Sequence, residues 1–400
     1  MGKDTKWPVR ILQVVGGMDR GGAETWLMHV LRNIDRDRFQ MEFLVHTTES
    51  SAFDDEIRAL GSKVIPCLQP SNPVVYARNF KQIMRQYGPY DVVHSHVQHF
   101  SGYALYLAYR AKVPLRIVHS HLDTSGISQQ AHGLRRLYFS TMQRWISNYA
   151  TAGLAVSREA GSALFGARWF EDRRYEVLYC AIDLEPFSNQ EVNARAVRAE
   201  LGIPENAFVI GHVGRFHEQK NHKFLIEIAS EIARREPEMR LLLVGDGPLY
   251  SEVQQEVYKK GLRDKVIFAG VRSDIPRLMM GAMDAFVMPS LYEGLPLVGM
   301  EAQAAGLPLI ISDVVTEEAI IVEPLVCRLS LSQPPSVWAE ETIKMQNSRQ
   351  VIRRIDAIAE VGRSKFNIKY GVSHLEKIYL PGAHTDPKPF TRLGQRRTIS

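Results

Sequence analysis

Short apolar runs alternate with amphipathic stretches along almost the whole chain. Val9 to Val15, Phe39 to His46, Lys63 to Pro66, Val92 to Ser95, Leu115 to His119, Gly153 to Val156 and Glu176 to Leu178 each read as a buried strand. Helical spacing fills the gaps: after the first strand, Trp26, Leu27, Val30 and Leu31 fall on one apolar face. A second series of strands follows at Phe208 to Val213, Leu241 to Val244, Val266 to Ala269 and Ala285 to Met288. Further helices are expected over 131–149, 297–305, 335–347, 350–361 and 370–379. Strand–helix alternation builds parallel, doubly wound α/β sheets, whose ligands sit at the carboxyl ends of the strands. The polar stretch Ser188 to Glu205 reads as a linker plus a helix and separates the two series. The domains predicted are therefore 1–190 and 191–365, followed by a helix over 366–382. The polar, basic residues 383–400 are expected to be disordered.

Composition narrows this picture rather than changing it. The 400 residues suit two domains of about 150–200 residues each. A net charge of +5 is mild for this length, compatible with an anionic ligand or membrane face but not the signature of a nucleic-acid binder. Cys67, Cys180 and Cys327 are far apart and lack metal-ligand spacing, so they read as reduced thiols of a cytoplasmic protein. Met1 to Pro8 has no apolar core of a signal peptide, and no run reaches the roughly 18 apolar residues of a membrane span. Residues 131–149 place Leu134, Leu137, Tyr138, Met142 and Trp145 at helical spacing beside Arg135, Arg136 and Arg144. That pattern reads first as a core-packed helix with a solvated basic side, and second as a basic helix against a membrane.

Candidate chemistry gathers where strands end. Gly16, Gly17, Gly21 and Gly22 lie between the first strand and its helix, where glycine lets a backbone approach a ligand, though the spacing is not G-x-G-x-x-G. His94 and His96 follow one strand, His119 and His121 the next, with Asp123 beyond; neighbouring loops could satisfy them as readily as a ligand. In the second series Gly214 ends a strand, and Arg215 and Lys220, five apart, precede a helix. Arg grips phosphate oxygens in a fork and Lys adds a compact charge, which suits a diphosphate. Gly245 ends the next strand, and Gly270-Val271-Arg272 follows the one after. The last turn reads PSLYEGLPLVGMEA: Glu293 lies in the turn and Glu301 in the helix, with seven residues between them. The helix start offers free N–H groups and so makes a ready anion site, at which Gly294, Leu295, Pro296, Leu297 and Val298 are the candidate binding residues. Asp35-Arg36-Asp37 has the D-x-D form of some metal-dependent transferases but follows a helix, so it reads as an exposed turn.

The Glu-(seven residues)-Glu turn, flanked by PS-x-x-EG-x-P and an AGLP exit, resembles the signature of the family 4 retaining glycosyltransferases. The GGAE turn and the G-R-x-x-x-x-K segment resemble that family too, over roughly residues 8 to 380. Two departures stand out: Cys180-Ala181 replaces the usual Asn-Gly before Ile182-Asp183, and no glycine-rich turn follows Asp313. The resemblance implies the GT-B fold, two Rossmann-like domains facing across a cleft, with the last helix crossing back to the first domain. It implies transfer of a sugar from a nucleoside diphosphate sugar, with UDP the commonest nucleotide, to a saccharide or lipid-linked saccharide in exopolysaccharide or capsule assembly. It assigns Arg215 and Lys220 to the leaving diphosphate, and His121, with His119 in reserve, to the donor sugar. Glu293 would hold the sugar and Glu301 the ribose. No metal or other cofactor is expected, and the protein is read as soluble or at most peripheral on the inner face of the membrane. Rival readings are a non-catalytic nucleotide-sugar sensor or partner subunit, and a nucleotide-sugar epimerase.

Overall fold

The computed structural model describes residues 8–121, 132–188, 191–347 and 352–380. By its contacts the chain divides into two units, residues through Leu178 together with those from Val372 on, and Tyr179–Gly371. Each unit is built on one wholly parallel sheet among the described residues.

The first sheet has seven strands: β1 Val9–Val14, β2 Phe39–Val45, β3 Val64–Pro66, β4 Val92–Ser95, β5 Leu115–Ser120, β6 Ala152–Ala155 and β7 Tyr175–Val177. Their spatial order is β3-β2-β1-β4-β5-β6-β7. Val14 is paired with Leu44 on one side and Ser95 on the other. Helices cover the sheet, so the central strands are buried on both faces and carry continuous apolar runs. Leu12, Val14, Val93 and Val118 pack against Tyr76, Phe80, Ala104, Leu105 and Ala108 of the covering helices. Chain order reverses between β1 and β4, and the loops leaving these strands diverge, opening a crevice at their carboxyl ends.

The second sheet repeats the plan with β8 Val209–Val213, β9 Arg240–Val244, β10 Val266–Phe268, β11 Ala285–Met288, β12 Leu309–Ser312 and β13 Val326–Leu329. Its order is β10-β9-β8-β11-β12-β13, which puts the reversal between β8 and β11. The helix His222–Arg235 lays Leu225, Ile226, Ile228, Ala229 and Ile232 on this sheet. The Arg–Lys turn leaves β8 and the Glu–Glu turn leaves β11. The two charged turns are therefore brought together by topology.

Several expectations change. The units divide after Leu178 rather than near residue 190, because Ile182 is held by the second unit: its N–H donates to Phe366 O and its carbonyl accepts from Ile368 N. Two strands go unrecognised in the sequence: β12, which follows the Gly306-Leu307-Pro308 helix exit directly, and β13, a half-buried edge strand of four residues with a weak apolar signal. The helix Gly133–Tyr149 buries Met142 and Ile146, whereas Leu134, Leu137 and Tyr138 are exposed, Leu134 by 85%. Its first half is therefore not core-packed. Asp35 and Asp37 do sit in an exposed turn, where Asp35 Oδ1 accepts from Asp37 N. The final helix is Ile368–Tyr379. The predicted tail 383–400 lies outside the described residues.

Candidate active site

At the carboxyl end of β8, Gly214 N donates to Val244 O and Phe216 N to Asp246 O, lacing this turn to the end of β9. The stem of Lys220 runs along Gly214, with its Cδ and Cε 3.2 Å from where a Cβ would stand. Lys220 Nζ reaches Glu293 Oε1 at 2.7 Å, and both side chains are largely buried. Gln219, between them, ties the two turns together. Its carbonyl accepts from Leu291 N, and its amide donates to Tyr292 O at 2.9 Å and to Glu293 Oε2 at 3.2 Å. Asn221, left-handed at φ 53°, donates from Nδ2 to Pro289 O and starts the helix behind. Arg215 is exposed and, among the described residues, has no carboxylate partner. Arg215, Lys220 and Glu293 thus form a buried Lys–Glu pair and an open guanidinium on the joined turns.

Gly245 must be glycine. Its φ is +139°, and a Cβ there would collide with the carbonyl oxygen of Gly214. Its N–H donates to Gly270 O at 2.8 Å, continuing the lacing to the end of β10. The side chain of Arg272 points its charge elsewhere: it bonds Asp274 and Glu200, and Arg277 completes this ion-pair network. Its hydrogen bonds, above all, depress the Asp274 carboxyl to about 2. The Arg272 guanidinium is therefore committed to this network.

In the Glu–Glu turn Leu295, Pro296 and Leu297 are buried and Gly294 and Val298 half-buried, so backbone N–H groups are what this stretch can offer a ligand. Eight residues form the helix Leu297–Ala304, which encloses Glu301. Burial pushes its carboxyl up to about 7. A carboxyl poised there can accept from a diol with little rearrangement.

In the first unit Gly16 O accepts from His46 N, and Gly21 is the cap of the helix Gly22–Asn33. A Cβ at Gly21 would collide with the carboxylate of Glu24, so this helix start already holds an acidic group of its own. Burial raises the Glu24 carboxyl above its ordinary range. His94, His96 and His119 are buried at the carboxyl ends of β4 and β5, and His121 is half-buried beside them. Trp26 closes over His119, its ring 5.0 Å away edge-on. Asp123 lies outside the described residues.

His94, His96 and His119 bring ring nitrogens within 4.8 Å of one another, the only such group among the described residues. Both nitrogens of His96 are engaged, however, with His121 Nε2 and Gln13 Oε1 at 2.8 Å each. A metal ion would have to take one of them from its partner. Sequence reasoning missed Gln219, Gln13 and Tyr379. A polar residue inside the buried strand β1 was a readable sign for Gln13; nothing in the sequence marked Tyr379.

Superposition on solved structures identifies the architecture. HepE of Anabaena, solved in complex with UDP and glucose, matches with a TM-score of 0.76 at 19% identity, over 92% of this chain and 98% of that one. The two parallel sheets are those of a GT-B glycosyltransferase. Residues 20–186 match Glycosyltransferase Family 4 and residues 193–359 match Glycosyl transferases group 1. The chain is 39% identical over 376 residues to the putative glycosyltransferase EpsF of Bacillus subtilis, spanning 92% of this chain and 96% of EpsF. It belongs to the group 1/family 4 glycosyltransferases. The UDP-Gal:alpha-D-GlcNAc-diphosphoundecaprenol alpha-1,3-galactosyltransferase of Escherichia coli is 29% identical over 56% of this chain and 58% of its own length.

Proposed function

We propose that this glycosyltransferase moves a sugar from a UDP-sugar, with retention of configuration, to a hydroxyl of a saccharide or lipid-linked saccharide in polysaccharide assembly. The observation that carries the reading is the joining of the Arg215–Lys220 turn to the Glu293 turn at the switch point of the second unit. As the bond from the anomeric carbon to the diphosphate oxygen breaks, negative charge grows on the diphosphate, and Arg215 and Lys220 stand ready to balance it. Preorganised charge of this kind is usually a large catalytic contribution. The acceptor oxygen bonds the anomeric carbon from the face the diphosphate leaves, and its proton passes to a diphosphate oxygen, which retains the configuration. Glu293 accepts from donor-sugar hydroxyls, Glu301 from the ribose, and His121 is assigned to the transferred sugar. The two cations do the work a metal ion would otherwise do.

UDP is favoured because the Escherichia coli relative is named for UDP-Gal and HepE was solved with UDP. A lipid-linked acceptor is favoured by that relative's diphosphoundecaprenol. It also suits exposed Leu134, Leu137 and Tyr138 beside Arg135 and Arg136, an apolar and basic surface that fits an anionic membrane face. Among the described residues no helix is long and apolar enough to cross a membrane. The test is to incubate the protein with UDP-sugars with and without saccharide-lipid acceptors, and to assay UDP release and the anomeric configuration of the product. Acceptor-dependent UDP release with retention is expected. Binding without release would make it a sensor, sugar interconversion without acceptor an epimerase, and an inverted product would refute retention.

A further inference from the structure

One histidine of the first unit stands apart from the group around His121. His46 follows β2, and its N–H donates to Gly16 O, which ties its backbone to the glycine turn leaving β1. The residues after it are laced to the same turn: Ala52 N donates to Asp19 Oδ1 and Phe53 N to Met18 O. Ser51 Oγ lies 3.3 Å from where a Cβ of Gly17 would stand. The His46 ring is held as well as its backbone. Its Nε2 is 3.0 Å from Tyr76 Oη, and Tyr76 is buried in the helix Pro73–Tyr87. Phe100, in the short turn Gln98–Phe100 after β4, meets the His46 ring edge-on, with the ring centres 5.5 Å apart. A side chain following β2 thus touches one following β4, across the end of β1, where chain order reverses.

His46 is half-buried, and its Nδ1 has no hydrogen-bond partner among the described residues. Burial lowers the imidazole to about 4, so the ring is neutral near pH 7. The Tyr76 hydroxyl, which also bonds the Cys67 thiol, engages Nε2 whichever way its proton points. Nδ1 is left as a donor in one case and an acceptor in the other. A sugar hydroxyl both donates and accepts, so it suits either state. A phosphate or carboxylate only accepts, and the neutral ring offers it no charge. One placed polar atom between aromatic rings, at a switch point, is how a pocket for a small polyhydroxylated ligand is built.

His46 and His121 come to this edge from opposite faces of the sheet. Val14 pairs with Leu44, and both pack with Tyr76, so His46 lies on their side. On the other face Gln13 pairs with His94 and joins His96 to Tyr379, whose hydroxyl also reaches His94. Trp26 packs there against His119 and His121. We propose that His46 Nδ1 binds a hydroxyl of the acceptor saccharide, with Tyr76 and Phe100 holding the imidazole in place. The inference rests on the proposed transfer, which assigns the donor diphosphate and ribose to the second unit and the donor sugar to His121. The face of His46 is then left for the second substrate. The reacting proton of the acceptor passes to the diphosphate, so His46 is a positioning residue and takes no part in bond making.

Two substitutions separate the nitrogens. His46→Gln keeps an amide where Nε2 stands, within reach of Tyr76, and leaves the place of Nδ1 empty; His46→Asn does the reverse. The measurement is the initial rate at saturating UDP-sugar with the acceptor varied, using the saccharide-lipid that gives wild type its fastest UDP release. His46→Gln should raise the acceptor KM roughly three- to tenfold, the loss of one neutral hydrogen bond, with kcat, donor KM and UDP affinity unchanged. His46→Asn should keep the acceptor KM near that of wild type while lowering the Tm, because it abandons Tyr76. An acceptor KM raised as much or more by His46→Asn would show that the imidazole only caps Tyr76, and overturns the proposal. An unchanged acceptor KM in His46→Gln overturns it too, as does a loss that falls on the donor or on UDP. No acceptor-dependent UDP release from wild type would instead overturn the transfer itself, and this inference with it.

Discussion

Glu301 is an acid whose surroundings set its proton near neutrality. Burial in the helix Leu297–Ala304 raises its carboxyl from the ordinary 4.5 to about 7, so much of the free protein at neutral pH carries it protonated. A ribose diol donates best to the ionised form, and binding should therefore draw the proton off. The sign follows: affinity for UDP should fall as pH drops below about 7, approaching tenfold per pH unit, with proton release on binding. Calorimetry in buffers of different ionisation enthalpy checks this, and Glu301→Gln should abolish both effects. A wild-type affinity flat from pH 8 to 6 would remove the ribose role. At this scale the sequence was informative wherever a charged residue stood in a recurring spacing, as Arg215, Lys220, Glu293 and Glu301 do. It was silent on Gln219 and Tyr379, whose roles come from partners distant in sequence. Nor could it show that Lys220 is paired with Glu293.

Turns at strand ends carry the site, and their geometry is set by close backbone approach. Gly245 and Gly261 both have positive φ, +139° and +69°, but differ in what a side chain would meet. At Gly245 a Cβ would strike the Gly214 carbonyl; at Gly261 nothing lies within 4 Å. Gly245→Ala should therefore cost roughly 1–3 kcal/mol and weaken UDP binding, by pushing the β8 turn away. Gly261→Ala bears only backbone strain, about 1 kcal/mol, and should leave UDP binding unchanged. Thermal melts and UDP titrations of the two variants would show it, and equal losses of binding would contradict the lacing of the turns. Most strands were legible as short apolar runs, the fully buried β12 excepted. The strands β1, β4, β8 and β11 could be read from apolar runs, because a parallel strand covered on both faces needs them. Strand β13 and the exposed first half of the helix Gly133–Tyr149 could not. An edge strand has only weak periodicity, and an apolar stripe does not say what, if anything, covers it.

At the scale of the whole molecule, the repeated strand–helix rhythm foretold two Rossmann-like units, and the family match spans nearly all of both. The exact division could not be read, because polar composition after Ser188 marks a surface stretch rather than the last contact with a sheet. Ile182 crosses to the second unit before that stretch begins. The central claim is that the Arg215–Lys220 turn holds the diphosphate of the donor without a metal ion. The most direct measurement is calorimetric titration of UDP and of uridine, both in EDTA, into wild type and the Arg215→Ala/Lys220→Ala variant. Charge-assisted hydrogen bonds contribute about 1.5–3 kcal/mol each, so the double variant should lose at least a hundredfold in UDP affinity while uridine binding barely changes. Equal losses for the two ligands, or UDP binding by wild type only once manganese or magnesium is restored, would contradict it.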